Sequence, residues 1–203
     1  MTRLAGKRVL MVVAPEGFRD EELSTPRQIL EANGATVTVG STKSGQAHGM
    51  MGARALATVS VDSCRASDYD AVVIVGGDGA ARHLWDHAGL ARLVTDAATA
   101  ERILGAICLG PVVLAKAGLL AGREATVWKS ESAEAAMRRA GARLVDRDLV
   151  AVGRIVTARG PHVALAFAER LVEEMRASRP YPGRGAPTTL GPRSGPGRVS
   201  EGA

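Results

Sequence analysis

A chain of 203 residues, 46% of them apolar, can bury one full-sized core and is short for two. Aromatic residues make up only 3%, so that core has to be built from Val, Leu, Ile and Ala. The formal charge of +5 does not mark a nucleic-acid binder, because several arginines fall in the C-terminal tail and the others are scattered among acids.

No apolar run reaches the length of a membrane span, and MTRLAGKRVLMVVA leaves no room for a secretory leader before structure begins. The expectation is a cytoplasmic protein with reduced thiols, acting on neither nucleic acid nor membrane. Its two cysteines, Cys64 and Cys108, suggest no disulfide framework, and no C-x-x-C spacing suggests zinc.

The first element is RVLMVVA, Arg8 to Ala14, an apolar run of buried-strand length. In STPRQILEANG, Ser24 or Thr25 can cap a helix, Pro26 suits its first turn and Gly34 its end. ATVTVG alternates as a strand should, another strand is expected near Ala55 to Val61, and YDAVVIVGGDG is a buried strand ending in glycines. Helical spacing returns at Leu90, Leu93, Val94 and Ala97. RILGAIC is the next core strand and Pro111 to Lys116 opens a helix. EATVW reads as a strand, SAEAAMRRAG as a helix ended by Gly141, and DLVAVGRIVTA as a hairpin or a pair of short strands. The final helix is expected from about His162 to Met175, with Val163, Phe167, Leu171 and Met175 on one face.

Alternation of strand and helix argues for a parallel sheet covered on both faces, with ligands outside the carboxyl ends of its strands. Three segments fall at that edge: PEGFRDEEL, GGDGA and CLG. One domain is expected over residues 1–177. The Gly-, Pro- and Arg-rich stretch 178–203 is expected to be disordered.

Cys108 lies in A-I-C-L-G, the small-x-nucleophile-x-small form of a strand-to-helix elbow, followed by Pro111. A thiol facing a helix N-terminus should have a pKa below the free value of about 8.5. The competing reading is an inert buried cysteine, which is also the expectation for Cys64. Glu22 sits in the acidic turn at the same edge. A carboxyl beside a thiolate would share its proton and act as a shuttle, whereas a solvated acidic turn is the plainer account of Glu16, Asp20 and Glu21. Gly76 and Gly77 fail as a dinucleotide fingerprint and fit better as N–H donors to an oxyanion, or simply as a tight turn. His83 and His87 are four apart, but no third ligand accompanies them, so a solvated helix face is expected instead of a metal site. His162, after ARGP, is a possible base.

In their order along the chain, the acidic turn with Pro26 beyond it, VVIVGG, AICLGP and VTARGP resemble the ThiJ/PfpI superfamily over roughly Lys7 to Met175. That superfamily, of the class I glutamine amidotransferase-like fold, includes deglycases, intracellular proteases and glyoxalase III enzymes. The resemblance implies a flavodoxin-like three-layer α/β/α sandwich, no cofactor, a homodimer or larger homo-oligomer, Cys108 as nucleophile, Glu22 as its partner, and oxyanion-side Gly76 and Gly77. The sequence also departs from the family. Leu109 stands where many members have a histidine after the cysteine, and Ala81 where PfpI-type members have a glutamate. Trp128 occupies a region where others carry histidine, tyrosine or tryptophan. Without the Cys-His-Glu triad, peptidase activity is not expected.

Three functions follow from the resemblance. The first is a glyoxalase III or deglycase-like enzyme acting on small reactive carbonyls, with Leu109 and Trp128 lining the substrate pocket. The second is a redox-sensing, stress-protective protein that oxidises at Cys108. The third is a hydratase or another small-molecule lyase of the same superfamily.

Overall fold

The Val-, Leu- and Ile-rich runs become the strands of one central sheet in the computed structural model, which describes residues 3–177. The disorder expected of residues 178–203 lies outside that range. In chain order the elements are β1 (Arg8–Val12), β2 (Glu16–Phe18), α1 (Asp20–Ala32), β3 (Thr36–Ser41), β4 (Gly45–Gly49), β5 (Arg54–Ala57), β6 (Val59–Ser60), β7 (Ala71–Ile74) and α2 (Asp78–His83). They continue with α3 (Ala88–Thr99), β8 (Ile103–Ile107), α4 (Pro111–Lys116), β9 (Glu124–Ala125), α5 (Glu131–Arg139), β10 (Arg143–Leu144), β11 (Leu149–Val152), β12 (Ile155–Ala158) and α6 (Ala164–Ala177).

The seven-stranded sheet has the order β11-β12-β8-β7-β1-β3-β6. Every pairing in it is parallel except β11 with β12, the expected hairpin. Strands β1, β7 and β8 are almost wholly buried, as continuous apolar runs in a doubly covered sheet must be. From β1 the chain moves outward to β3, whereas from β7 it moves the other way to β8. Right-handed crossovers therefore place α1 and α3 on opposite faces. The order reverses between β1 and β7, and a reversal opens a crevice at the carboxyl ends of the two strands. Glu22 follows β1, Gly76 and Gly77 follow β7, and Cys108 follows β8, so the crevice collects all four.

Several expectations are corrected. Helix α1 begins at Asp20, not at Ser24 or Thr25, because Asp20, Glu21 and Glu22 suit the positive end of the helix dipole. Pro26 therefore lies inside the helix, where it lacks the N–H that would reach the Glu22 carbonyl one turn earlier. EATVW forms only the short β9, since the backbone of Thr126 and Trp128 bonds outside the β9–β10 pair, to the Thr157 hydroxyl and the Cys108 carbonyl. The strand expected near Ala55 to Val61 divides between two sheets, β5 pairing with β4 and β6 with β3. The last helix starts at Ala164 after a single tight turn over Pro161–Val163, and Phe167, Leu171 and Met175 are buried along it.

His83 and His87 do not share a helix face. His83 ends α2, while His87 caps α3 by accepting the Leu90 N–H at Nδ1, 3.2 Å away. Among the described residues no helix is long and apolar enough to cross a membrane.

Candidate active site

The centre is built on a backbone that most side chains avoid. Cys108 has φ +60°, a left-handed conformation that costs an L-residue about 1–2 kcal/mol. It is held there from both sides: its N–H donates to the Ala158 carbonyl at the end of β12, and its own carbonyl accepts from the Trp128 N–H, both at 2.9 Å. The next residue is tied down as well, because the Trp85 indole donates to the Leu109 carbonyl at 2.9 Å. Gly110 has no room for a side chain, since a Cβ there would lie 2.6 Å from the Ile74 carbonyl oxygen. The small residue that follows the nucleophile in the motif is thus a packing requirement.

The acidic turn sorts its carboxylates one by one. The Glu21 pKa is held below the ordinary range first by a hydrogen bond from its own backbone N–H and then by two from the Arg19 guanidinium, at 2.8 and 3.1 Å. Asp20 accepts from the Met51 and Ala53 N–H groups and so clamps the β4–β5 turn. Glu22 alone turns inward and is fully buried. Its Oε2 accepts the Gly76 N–H at 3.0 Å, while Oε1 is buried with no nitrogen or oxygen partner. The carboxyl's other hydrogen-bonding interaction is with the Cys108 thiol.

Burial raises the Glu22 pKa to about 7, against the lowering effect of the Cys108, Gly76 and Arg19 contacts. Cys108 moves the same way. Burial first, and the facing Glu22 charge second, push it up to about 12, opposed by the N–H groups of Gly77 and Leu109 at the sulfur. The expectation of a lowered thiol pKa is therefore overturned, because desolvation and a facing carboxylate outweigh the amide donors. Below about pH 7 both groups keep their protons, and above it the two hold one proton between them. A thiolate forms there only when that proton sits on Glu22.

The glycines divide their work. A Cβ on Gly76 would lie 2.6 Å from Cys108 Cβ and 2.7 Å from Glu22 Oε2, so the missing side chain lets thiol and carboxyl meet. The Gly76 N–H, expected as an oxyanion donor, is donated to Glu22 instead. The donors left at sulfur are Gly77 and Leu109. Gly77 has φ +95°, and a Cβ there would lie 2.4 Å from the Gly17 carbonyl oxygen, which lets the loops after β1 and β7 close on each other.

Of the remaining candidates, Leu109 is buried and Trp128 is half-exposed, with its ring lying over Gly160. His162 is not brought to the thiol. It is 51% exposed and its Nε2 lies 3.4 Å from Asp148 Oδ1. Trp85 and Ala158 went unnoticed in the sequence. A lone tryptophan and an alanine carbonyl carry no motif, and only the packed loops give them a role. Cys64 is partly buried and donates to the Ser60 carbonyl at 3.3 Å, as a structural thiol should.

The comparisons with known proteins point to one family. The DJ-1/PfpI family model matches residues 7–174. An uncharacterized protein of Methanocaldococcus jannaschii is 42% identical over 79% of this chain and 78% of its own length. The glutathione-independent glyoxalase DJR-1.2 of Caenorhabditis elegans is 26% identical over 84% of this chain and 90% of its own. A solved ThiJ/PfpI domain protein from Brachyspira murdochii superposes with a TM-score of 0.81 at 30% identity, covering 86% of this chain and all of that one. With an elbow cysteine, a carboxylate from the turn after β1 and a match spanning nearly every described residue, this chain belongs to the DJ-1/PfpI family.

Proposed function

We propose that the protein is a cofactor-independent enzyme that converts small 2-oxoaldehydes such as methylglyoxal to 2-hydroxy acids, with Cys108 as nucleophile and Glu22 as proton shuttle. The observation that carries the reading is a buried carboxyl with a pKa raised to about 7, set against a thiol on a strained elbow. A carboxyl that changes protonation at working pH can both give and take a proton. The Caenorhabditis relative's name supports the reaction class.

In the first step the sulfur bonds to the aldehyde carbon, the carbonyl π electrons move to oxygen, and the thiol proton passes through Glu22 to that oxygen. Ionised Glu22 then removes the proton from the same carbon, and the electron pair moves to the ketone oxygen to give an enediolate. Glu22 returns the proton to the neighbouring carbon, and the hydroxyl proton passes from the first oxygen to the second. The product is a thioester of the 2-hydroxy acid. Water hydrolyses it, releasing the acid and restoring the thiol. Buried Leu109 next to the nucleophile suits a small, apolar aldehyde and removes the histidine that a peptidase would need.

Oxidation of Cys108 is a second reading of the same pair, with Glu22 carrying the proton beside the oxidised sulfur, and no selective gain of oxygen at Cys108 in intact mass after mild peroxide would remove it. Self-association, implied by the family resemblance, is part of the proposal and is tested by sedimentation of the full chain.

The deciding experiment follows lactate formation from methylglyoxal without glutathione. Wild type should turn over and Cys108→Ala should not. Equal rates in the two proteins would end the proposal.

A further inference from the structure

The opposite edge of the sheet holds a second concavity. A cavity of about 360 Å³ opens between the end of α3, the start of β8, the turn after α4 and the start of β12. That volume falls in the size range of small-molecule sites, roughly 300–1,000 Å³. Three arginines line it, Arg102, Arg123 and Arg154, with Glu101 as the single acid. Leu104, Leu119 and Ile155 supply an apolar wall.

The three cations differ in how they are held. Arg102 is 6% exposed, so its guanidinium is largely fixed by the surrounding protein. Arg102 and Arg154 both interact within the fold, which orients them without a ligand. Arg123 is exposed, and among the described residues its side chain forms no ion pair. Two oriented guanidinium groups and one free to swing in form a receptor for a doubly charged group, because each planar fork can grip two oxygens.

The site is separate from the elbow. Arg102 precedes β8 and Cys108 follows it, so a run of strand about 20 Å long lies between them.

We infer that this cavity binds a small organic dianion, a phosphate monoester or a dicarboxylate with a short apolar body. The anionic oxygens meet Arg102, Arg123 and Arg154, and the carbon chain lies on Leu104, Leu119 and Ile155. The inference does not depend on the reaction proposed for Cys108.

The test is calorimetric titration of the full chain with glycerol 3-phosphate, succinate and neutral glycerol at constant ionic strength. Wild type should show saturable one-site binding of at least one dianion and none of glycerol, and the tighter arm names the anion class. Arg123→Glu, a change at an exposed side chain, should raise Kd at least tenfold with unchanged circular dichroism. Cys108→Ala should bind as wild type does. Absence of saturable binding by either dianion would overturn the inference, as would equal affinity in Arg123→Glu or loss of binding in Cys108→Ala.

Discussion

Cys64 follows a short helical turn and Cys108 follows a strand, and burial is the largest cause raising the pKa of each. Their neighbours separate them. Cys64 donates to the Ser60 carbonyl and lies 3.9 Å from the Tyr69 hydroxyl, itself pushed up to about 12. Neither group can take the thiol's proton at neutral pH. Cys108 faces a carboxyl that changes state near pH 7. Burial therefore does not distinguish a reactive cysteine from a structural one. A neighbour able to exchange the proton does, together with a backbone that aims the sulfur at it.

The comparison breaks first at the nucleophile. Cys108→Ser should lower the turnover of methylglyoxal by a factor on the order of 10⁴ or more, while Cys64→Ser should leave it within about twofold. Comparable losses in the two variants would mean that the difference between the thiols is not the one described.

Next comes the proton partner. Glu22→Gln keeps a group able to accept the Gly76 N–H but cannot shuttle a proton. Its kcat should fall by about 10²–10³, and the limb of the pH–rate profile near pH 7 should vanish. A profile that keeps that limb would assign it to another group.

The same substitution has a stability signature. The folded Glu22 pKa is raised from 4.5 to about 7, so the folded state holds its proton more tightly than the unfolded chain. That contribution is fully present below about pH 4.5 and is lost as pH rises through about 7, a change of about 3 kcal/mol. Urea midpoints at pH 5 and pH 8.5 should show this loss in wild type and much less of it in Glu22→Gln. Parallel loss in both proteins would place the pH dependence elsewhere.

A smaller effect is expected where thiol and carboxyl meet. Gly76→Ala puts a methyl group 2.6 Å from Cys108 Cβ, so something must shift, at a cost of about 1–3 kcal/mol. Activity should fall further than that stability loss alone explains, because the added group separates the reacting pair. Thermal unfolding and turnover measured on the same preparation check both parts. The smallest effect belongs to Cys64→Ser, which keeps a donor for the Ser60 carbonyl and should cost less than about 1 kcal/mol.

The legible parts of the fold share a physical cause. VLMV after Arg8, AVVI and ILGAI are apolar throughout and sit in the middle of the sheet, where both faces are covered. Pro111 marks the start of α4, and the β11–β12 hairpin turns at Gly153 between two apolar runs. The misread parts were those in which a distant partner decides. Asp20 lies in the first turn of α1 while its carboxylate reaches the distant β4–β5 turn, and EATVW stops pairing early because the Trp128 backbone is claimed by Cys108.

The site divides in the same way. By itself the chain pointed to the candidate residues, Glu22 among them through the family resemblance, because an elbow needs a small-Cys-small run and a shuttle needs an acid at the same sheet edge. Only the tertiary structure buried Glu22 alone of the four neighbouring acids, gave the Gly76 N–H to its carboxylate and left His162 beside Asp148. It also reversed the direction of the Cys108 pKa shift. These outcomes depend on burial and on which loops touch. Neither can be read from local sequence, because both arise from packing residues that lie dozens of positions apart.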